Sequence, residues 1–213
     1  MLRTAALCAL LIIGSSAAFA GPSEDSEQQS GDEAIKACTE VIGGGADIAW
    51  AHYNRGVEYA NQAKYDEAIT DYTAAIRLKP NYHEAFNNRG VAYENKKELD
   101  RALADYSRAI DLDPNFAFAY NNRANIFKAK GDLDRAIAEY TRAIEIDANY
   151  ALALSNRADA NMRKGDYDRA IADADRAISL QPDLADAFAN RAAAYSGKGD
   201  YDRAIGDYTR ALE

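Results

Sequence analysis

The chain has 213 residues, of which 48% are hydrophobic, and its 34 acidic and 25 basic side chains give a formal net charge of −9. A sequence pI near 4.8 gives the wrong sign for binding phosphate. The arginines are spread evenly along the chain instead of forming one basic patch. Charge and its distribution therefore argue against a nucleic-acid-binding protein.

The first 20 residues are predicted to be a secretory signal. Arg3 supplies the positive start, residues 7–17 form an apolar run, and residues 18–20 (Ala-Phe-Ala) have the pattern of a cleavage site before Gly21. The run is short for a membrane span, which needs about 20 residues, so an uncleaved anchor is the weaker alternative. We expect a protein secreted across the inner membrane of a bacterial cell to the periplasm.

Two short segments follow the signal. Residues 21–31 contain Ser, Glu, Gln and Gly but no large apolar side chain, which predicts a flexible leader. The sequence Asp-Glu-Ala-Ile at residues 32–35 recurs 34 positions later at residues 66–69. Residues 32–48 are therefore predicted to be the second helix of a degenerate half-repeat, followed by a glycine linker. Such a helix would cover the outer side of the first full repeat.

A 34-residue block recurs from residue 49 onward, at 49–82, 83–116, 117–150, 151–184 and 185–213. Each block has Asn-Arg followed by Gly or Ala at its sixth to eighth positions, and Ala followed by Ile or Leu at its twentieth. A fixed period of this size predicts a solenoid of stacked units instead of one closed globule. Apolar residues at helical spacing predict two helices of about a dozen residues in each block.

The small and aromatic positions of the blocks resemble those of the tetratricopeptide repeat (TPR) family, in its secreted bacterial form. The eighth position is always small, the twentieth and twenty-seventh are always Ala, and the eleventh and twenty-fourth are aromatic in four of the five blocks. The resemblance covers residues 49–213. It implies an all-α fold, an α-solenoid in which helix-turn-helix TPR units stack into a right-handed superhelix.

Block four departs from the pattern. It carries Leu154, Asn161 and Ala174 where the other blocks mostly have aromatic side chains. Because these substitutions remove bulk from the interior, we predict that block four is the softest unit and a hinge.

The resemblance also indicates a binding surface. In TPR solenoids the first helix of each block lines the concave face, and the sixth position points into it. Here that position is always Asn, at Asn54, Asn88, Asn122, Asn156 and Asn190. An amide can pair with any peptide backbone. With helix layers about 8–10 Å apart, an extended guest would meet one Asn roughly every third residue. The alternative is that these amides only support hydrogen bonds between helices.

Two further features bear on binding. Each of these Asn residues is followed by Arg, and an acid lies sixteen residues after each Arg, which predicts an ion pair between the two helices of a unit. Trp50, Tyr53 and Phe118 are candidate apolar anchors for a guest, although the helix predicted from residue 32 could instead cover Trp50. The last helix carries apolar residues that offer a route to a homodimer, Ile205, Tyr208 and Leu212.

Catalytic chemistry has no support in the sequence. The only histidines are His52 and His83, and His52 occupies a position that is Phe, Tyr or Leu in the other blocks, so it is predicted to be a packed core residue. The chain has no Cys-x-x-Cys, no histidine pair four residues apart, no P-loop and no G-x-S-x-G elbow. We predict no catalytic residue, no metal site and no cofactor.

The sequence therefore predicts a non-catalytic protein–protein interaction scaffold or adaptor that binds a peptide or protein segment on the concave TPR face. Its partner would be a protein, with no role for nucleic acid and no membrane span after signal cleavage. The alternative is an oligomeric structural subunit of a cell-envelope assembly that uses the ends of the solenoid.

Overall fold

The computed structural model describes residues 24–44 and 48–213, so the predicted signal at residues 1–20 lies outside the described residues. Within the described ranges every regular element is an α-helix, and none of these helices is long and apolar enough to cross a membrane. The helices are α1 Glu24–Gly43, α2 Ala49–Asn61, α3 Tyr65–Leu78, α4 His83–Asn95, α5 Leu99–Leu112, α6 Ala117–Ala129, α7 Leu133–Ile146, α8 Ala151–Arg163, α9 Tyr167–Leu180, α10 Ala185–Gly197 and α11 Tyr201–Ala211.

The predicted all-α solenoid of helix-turn-helix units is confirmed. The first helix of each block packs against the second helix of the same block. The described residues divide into two compact units, one with α1 to α5 that ends at Leu112 and one with α6 to α11 at residues 113–213.

The turn between the two helices of a block needs a left-handed residue. Gly131, Gly165 and Gly199 fill this position with φ between 80° and 82°, where glycine has no steric cost. In each case the following Asp caps the second helix, because its side chain accepts a hydrogen bond from the N–H three residues later. In the first two blocks the same position holds Ala63 and Lys97, with φ of 55° and 64°.

The interior of each block is built from small side chains against tyrosine rings. Tyr72, Tyr106 and Tyr140 have at most 1% of their surface exposed. A Cβ atom added to Gly90 would lie 2.7 Å from the Tyr106 ring, so the eighth position must be small for the ring to fit in its present place. The predicted pairing of small and aromatic positions is therefore the packing that joins the two helices.

Helix α1 begins at Glu24 and not at the predicted Asp32, so the prediction of a flexible leader is wrong from Glu24 onward. The Glu and Gln residues of this segment are good helix formers, and acids favour a helix start. Helix α1 packs on the first full repeat, where Trp50 lies against the buried Cys38. Trp50 is therefore covered by α1, which was one of the two alternatives.

Two hydrogen bonds show that α1 contacts the first full block as the second helix of a preceding repeat would. Arg55 Nη1 donates to Thr39 Oγ1 at 3.0 Å, and Gln62 Nε2 donates to Asp32 Oδ1 at 2.9 Å. The second bond spans 30 residues, as do the Lys–Asp pairs that link successive blocks, Lys96–Asp66, Lys164–Asp134 and Lys198–Asp168. The half-repeat inferred from residues 32–35 therefore makes the same contacts as a complete unit.

Replacing Lys97 by Gly should raise the free energy of unfolding by about 0.5–1 kcal/mol. A side chain in the left-handed region costs about 1–2 kcal/mol, which exceeds the added chain entropy of glycine. Urea unfolding followed by circular dichroism measures the change. The matched control is Gly131→Lys at the equivalent turn, which should be destabilising. A less stable Lys97→Gly protein would contradict the strain at this position.

Candidate functional site

An arginine ion pair fixes the first helix of each block against the second. The acid always lies sixteen residues after the Arg, and in the four Asp pairs Nε and Nη2 donate to separate carboxylate oxygens at 2.7 to 2.8 Å. The predicted interhelical pairs are confirmed in all five blocks: Arg55–Asp71, Arg89–Asp105, Arg123–Glu139, Arg157–Asp173 and Arg191–Asp207. These side chains are part of the scaffold.

The same guanidinium groups reach a third helix. Nη1 of Arg89 donates to Thr73 Oγ1, and Nη1 of Arg157 donates to Thr141 Oγ1, both at 3.0 Å. Arg191 Nη1 makes the equivalent contact to Asp175 at 2.6 Å. In each case the acceptor lies on the second helix of the preceding block. One side chain therefore joins both helices of its own block to the block before it.

His52 belongs to this polar layer. It is 8% exposed, and its Nδ1 atom lies 2.9 Å from Asp71 Oδ1, beside the contact from Arg55 to the same carboxylate. The prediction that His52 is a packed core residue is confirmed. No cluster of His, Cys, Asp or Glu with a geometry that could hold a metal ion occurs among the described residues.

In the first unit, the sixth-position Asn side chain of block two lies between the first helices of two blocks. Asn88 Nδ2 donates to Tyr53 Oη at 3.0 Å, and Asn88 Oδ1 accepts from Asn87 Nδ2 at 3.1 Å. Asn54, the corresponding residue of block one, is 8% exposed. Both amides therefore lie within the helix packing, and Asn88 uses one of its two N–H donors on the scaffold.

The second unit repeats this arrangement. Asn156 Nδ2 donates to Asn121 Oδ1 at 3.1 Å, and Asn156 Oδ1 accepts from Lys128 at 3.4 Å. Asn190 Nδ2 donates to the backbone oxygen of Ser155 at 2.9 Å. Each of these donors reaches the residue 35 positions earlier, as Asn88 does. Asn122 Oδ1 accepts from its neighbour Asn121 at 3.3 Å.

These bonds occupy part of the hydrogen-bonding capacity of the five sixth-position Asn side chains, which we call the Asn row. An amide has two N–H donors and an oxygen with two lone pairs, and the printed scaffold bonds of Asn88 and Asn156 use one donor and one lone pair of each. The interhelical role that the sequence left open is present in blocks two, four and five. Binding of a guest at this row stays a prediction.

The three candidate anchors differ in exposure. Trp50 is covered by α1. Tyr53 is half-buried and stacks on Tyr82, with ring centroids 4.9 Å apart. Phe118 is 54% exposed, although its ring touches Tyr150 at a centroid distance of 5.1 Å. Of the three, Phe118 alone has most of its surface open in the structure.

One apolar residue that the sequence analysis missed joins Phe118. Leu152 is 46% exposed and holds the second position of block four, the position that Phe118 holds in block three. Phe118 lies one helical turn before Asn122, and Leu152 lies one turn before Asn156, so each apolar side chain shares a helix face with an amide. The equivalence of position could have identified Leu152 from the sequence. We call these four residues the second-unit strip.

Burial changes the acidity of the aromatic cluster in the first unit. Desolvation raises the pKa of Tyr53, the nearby Glu84 carboxylate raises it further, and the hydrogen bond from Asn88 opposes both. Desolvation also raises the pKa of Tyr82 to about 12. Both phenols are therefore neutral at physiological pH and act as packed, hydrogen-bonding side chains.

Helix α11 exposes an apolar surface, as the sequence predicted. On this helix Tyr201 and Ile205 are each 65% exposed and Tyr208 is 44% exposed, and Leu212, directly after the helix, is 90% exposed. We call these four residues the α11 patch.

With this geometry in place, comparison with known protein families identifies the class. Family models of the tetratricopeptide repeat match residues 53–117, 106–138, 151–184 and 185–213, and a model of the TPR repeat matches residues 124–165. Together these matches span residues 53–213 without a gap. The chain belongs to the tetratricopeptide repeat family, whose members bind other proteins or peptides.

Solved structures give the same fold. A crystal structure of MamA is 26% identical, covers 74% of this chain and 92% of its own, and has a TM-score of 0.64. A tetratricopeptide repeat protein from Parabacteroides merdae is 21% identical, with coverages of 99% and 78% and a TM-score of 0.71. YrrB, described as a TPR protein with an unusual peptide-binding site, is 19% identical, with coverages of 84% and 92% and a TM-score of 0.65. No curated protein matches the sequence.

Replacing Arg89 by Leu should lower the free energy of unfolding by about 3 kcal/mol, because Asp105 would stay buried without its guanidinium. Chemical denaturation measures the loss. The control is Arg101→Leu, which removes an exposed partner of Glu98 and a contact with the Tyr93 ring and should cost about 1 kcal/mol. Equal effects of the two substitutions would contradict a structural role for the interhelical pair.

Replacing Asn88 by Ala should raise the pKa of Tyr53 further. The hydrogen bond from Asn88 is the influence that lowers this pKa, so its loss leaves burial and Glu84 unopposed. Titration of a ¹³Cζ-labelled tyrosine signal by NMR measures the change, with Asn95→Ala on the exposed end of the same helix as the control. A fall in the Tyr53 pKa would mean that the amide does not stabilise the phenolate.

Proposed function

We propose that this protein is a non-catalytic scaffold that binds a segment of another polypeptide along the Asn-bearing side of its first helices. The observation that carries the proposal is the second-unit strip. Its apolar members Phe118 and Leu152 are 54% and 46% exposed, and each shares a helix face with an Asn side chain. Exposed apolar groups beside backbone-compatible amides provide both affinity and register for a peptide.

The amide and apolar residues of the strip would recognise different parts of a bound peptide. Because Asn121 and Lys128 engage only one N–H and one lone pair of Asn156, the strip would recognise a peptide backbone through the amide groups that remain. Phe118, supported from behind by Tyr150, would take an apolar side chain of the guest. Lys128 and Asp159, paired at 2.9 Å on this side of the unit, add a charged boundary to the strip.

The predicted signal sequence adds a proposed cellular location, the bacterial periplasm. An apolar run at residues 7–17 followed by a small-x-small site supports export, and the partner would then be another protein of the bacterial periplasm.

A second candidate function rests on the α11 patch. Four large apolar side chains, three on α11 and one directly after it, are each at least 44% exposed and favour docking to a second copy of the chain or to another subunit of an envelope assembly. In this alternative the partner is held by α11, and the second-unit strip is not required.

The two functions predict opposite results in one experiment. Purified protein is used as bait for crosslinking capture from an extract of the cells of origin, with partners quantified by mass spectrometry. Phe118→Ser with Leu152→Ser should reduce partner recovery at least about tenfold if the strip binds, since central apolar contacts dominate such interfaces. Ile205→Ser with Leu212→Ser, which removes apolar side chains that are more exposed than those of the strip, is the control and should leave recovery unchanged.

The reverse pattern would reject the strip and support the α11 patch. Light scattering of the unmodified protein at high concentration separates the two further, because a monomer argues against self-association through α11. Circular dichroism of each variant verifies that helicity is unchanged.

A further inference from the structure

Block four contains a pocket at the position where the other blocks hold an aromatic ring. The pocket has a volume of about 320 Å³ and is lined by Ile137, Thr141, Arg157, Asn161, Arg169, Ala172 and Asp173. Asn161 is the eleventh residue of its block, and the same position is Tyr59, Tyr93, Phe127 and Tyr195 elsewhere. We call this space the block-four pocket.

The other blocks show what normally fills this space. Three of them place the ring of the eleventh residue beneath an Arg eight positions later, with guanidinium-to-centroid distances of 5.5, 4.6 and 4.2 Å for Arg101 on Tyr93, Arg135 on Phe127 and Arg203 on Tyr195. The arrangement is a cation–π contact. In block four the Arg is retained as Arg169, but the ring is replaced by the shorter Asn161.

Asn161 does not occupy the vacated space. Its side chain is 3% exposed and turns inward, where Nδ2 donates to Asp173 Oδ2 at 3.3 Å. Asp173 is itself held by Arg157, so the amide is drawn into the interhelical ion pair. The pocket therefore keeps an apolar side at Ile137 and Ala172 and a guanidinium at Arg169, without a ring between them.

We propose that the block-four pocket binds an aromatic side chain of a partner polypeptide. The ring would take the place of the missing eleventh-position aromatic, with its edge against Ile137 and its face towards Arg169. The corresponding rings of this chain are only half-buried, so a ring held there can be attached to another polypeptide on the solvent side. An aliphatic side chain would fill the volume but would gain nothing from the guanidinium.

This site is separate from the strip proposed above. Asn161 lies five residues after Asn156 on α8, which places it about 140° around the helix. A partner that uses the pocket would therefore contact the opposite side of α8 from the Asn row. The inference goes beyond the proposed function and does not depend on it.

The experiment is an NMR titration of the ¹⁵N-labelled protein with two blocked pentapeptides, acetyl-Gly-Gly-Tyr-Gly-Gly-amide and the same peptide with Leu. The tyrosine peptide should produce saturable shifts at the amides of Ile137, Asn161 and Arg169. Its Kd should be about 1 mM. It should bind about two- to fivefold more tightly than the leucine peptide, which is the contribution of a single exposed cation–π contact.

Three variants make the test decisive. Asn161→Tyr restores the ring, so it should abolish these shifts and raise the melting temperature. Arg169→Gln should remove the preference for tyrosine over leucine. Arg203→Gln, at the equivalent position of block five where Tyr195 is present, should change neither result.

The pocket proposal is overturned by any of three results: no shifts at these amides, equal binding of both peptides, or shifts that persist in a folded Asn161→Tyr protein. If Asn161→Tyr does not fold, Arg169→Gln alone decides, because an unchanged tyrosine preference rejects the cation–π contact. The Phe118→Ser and Leu152→Ser protein should keep the peptide shifts, so failure of the strip and failure of the pocket are distinguishable.

Discussion

The structure depends on one charge-assisted interaction, the guanidinium that follows Asn in every block. In each block it makes a bidentate contact with a carboxylate on the second helix of the same block. In blocks one, two, four and five it also donates to the helix that precedes the block. The four Asp partners are buried, at 3% to 9% exposure, and a buried carboxylate is costly without a cation. Rotation of the first helix would break this contact, so its orientation is fixed.

The fixed orientation explains the Asn row. Residues next to each other on a helix point about 100° apart, and in blocks two, four and five this turns the Asn that precedes the tied Arg towards the neighbouring first helix. There the amide finds Tyr53 in one unit and Asn121 or Ser155 in the other. The residue at the fifth position changes from block to block, and an amide can accommodate this because it both donates and accepts.

The features that distinguish one block from another lie at the positions that depart from the repeat. The second position is apolar and exposed in blocks three and four, at Phe118 and Leu152, and the eleventh position loses its ring only at Asn161. Neither change disturbs the ion pairs or the small-residue contacts that hold the helices together. A solenoid tolerates such local changes because each unit contacts only its neighbours.

The sequence by itself determined the helix pairs, the turns and the interhelical ion pairs, because each depends on residues at a fixed short spacing that recurs with the period. It also predicted α1 as a half-repeat, but not its start at Glu24, since the polar segment gains its helical state through continuity with a packed helix. Only the tertiary structure decided that Trp50 is covered, that Tyr53 stacks on Tyr82, and that Asn161 turns inward to leave a pocket. These outcomes depend on which neighbour a side chain meets across helices, and the periodic pattern does not specify that neighbour.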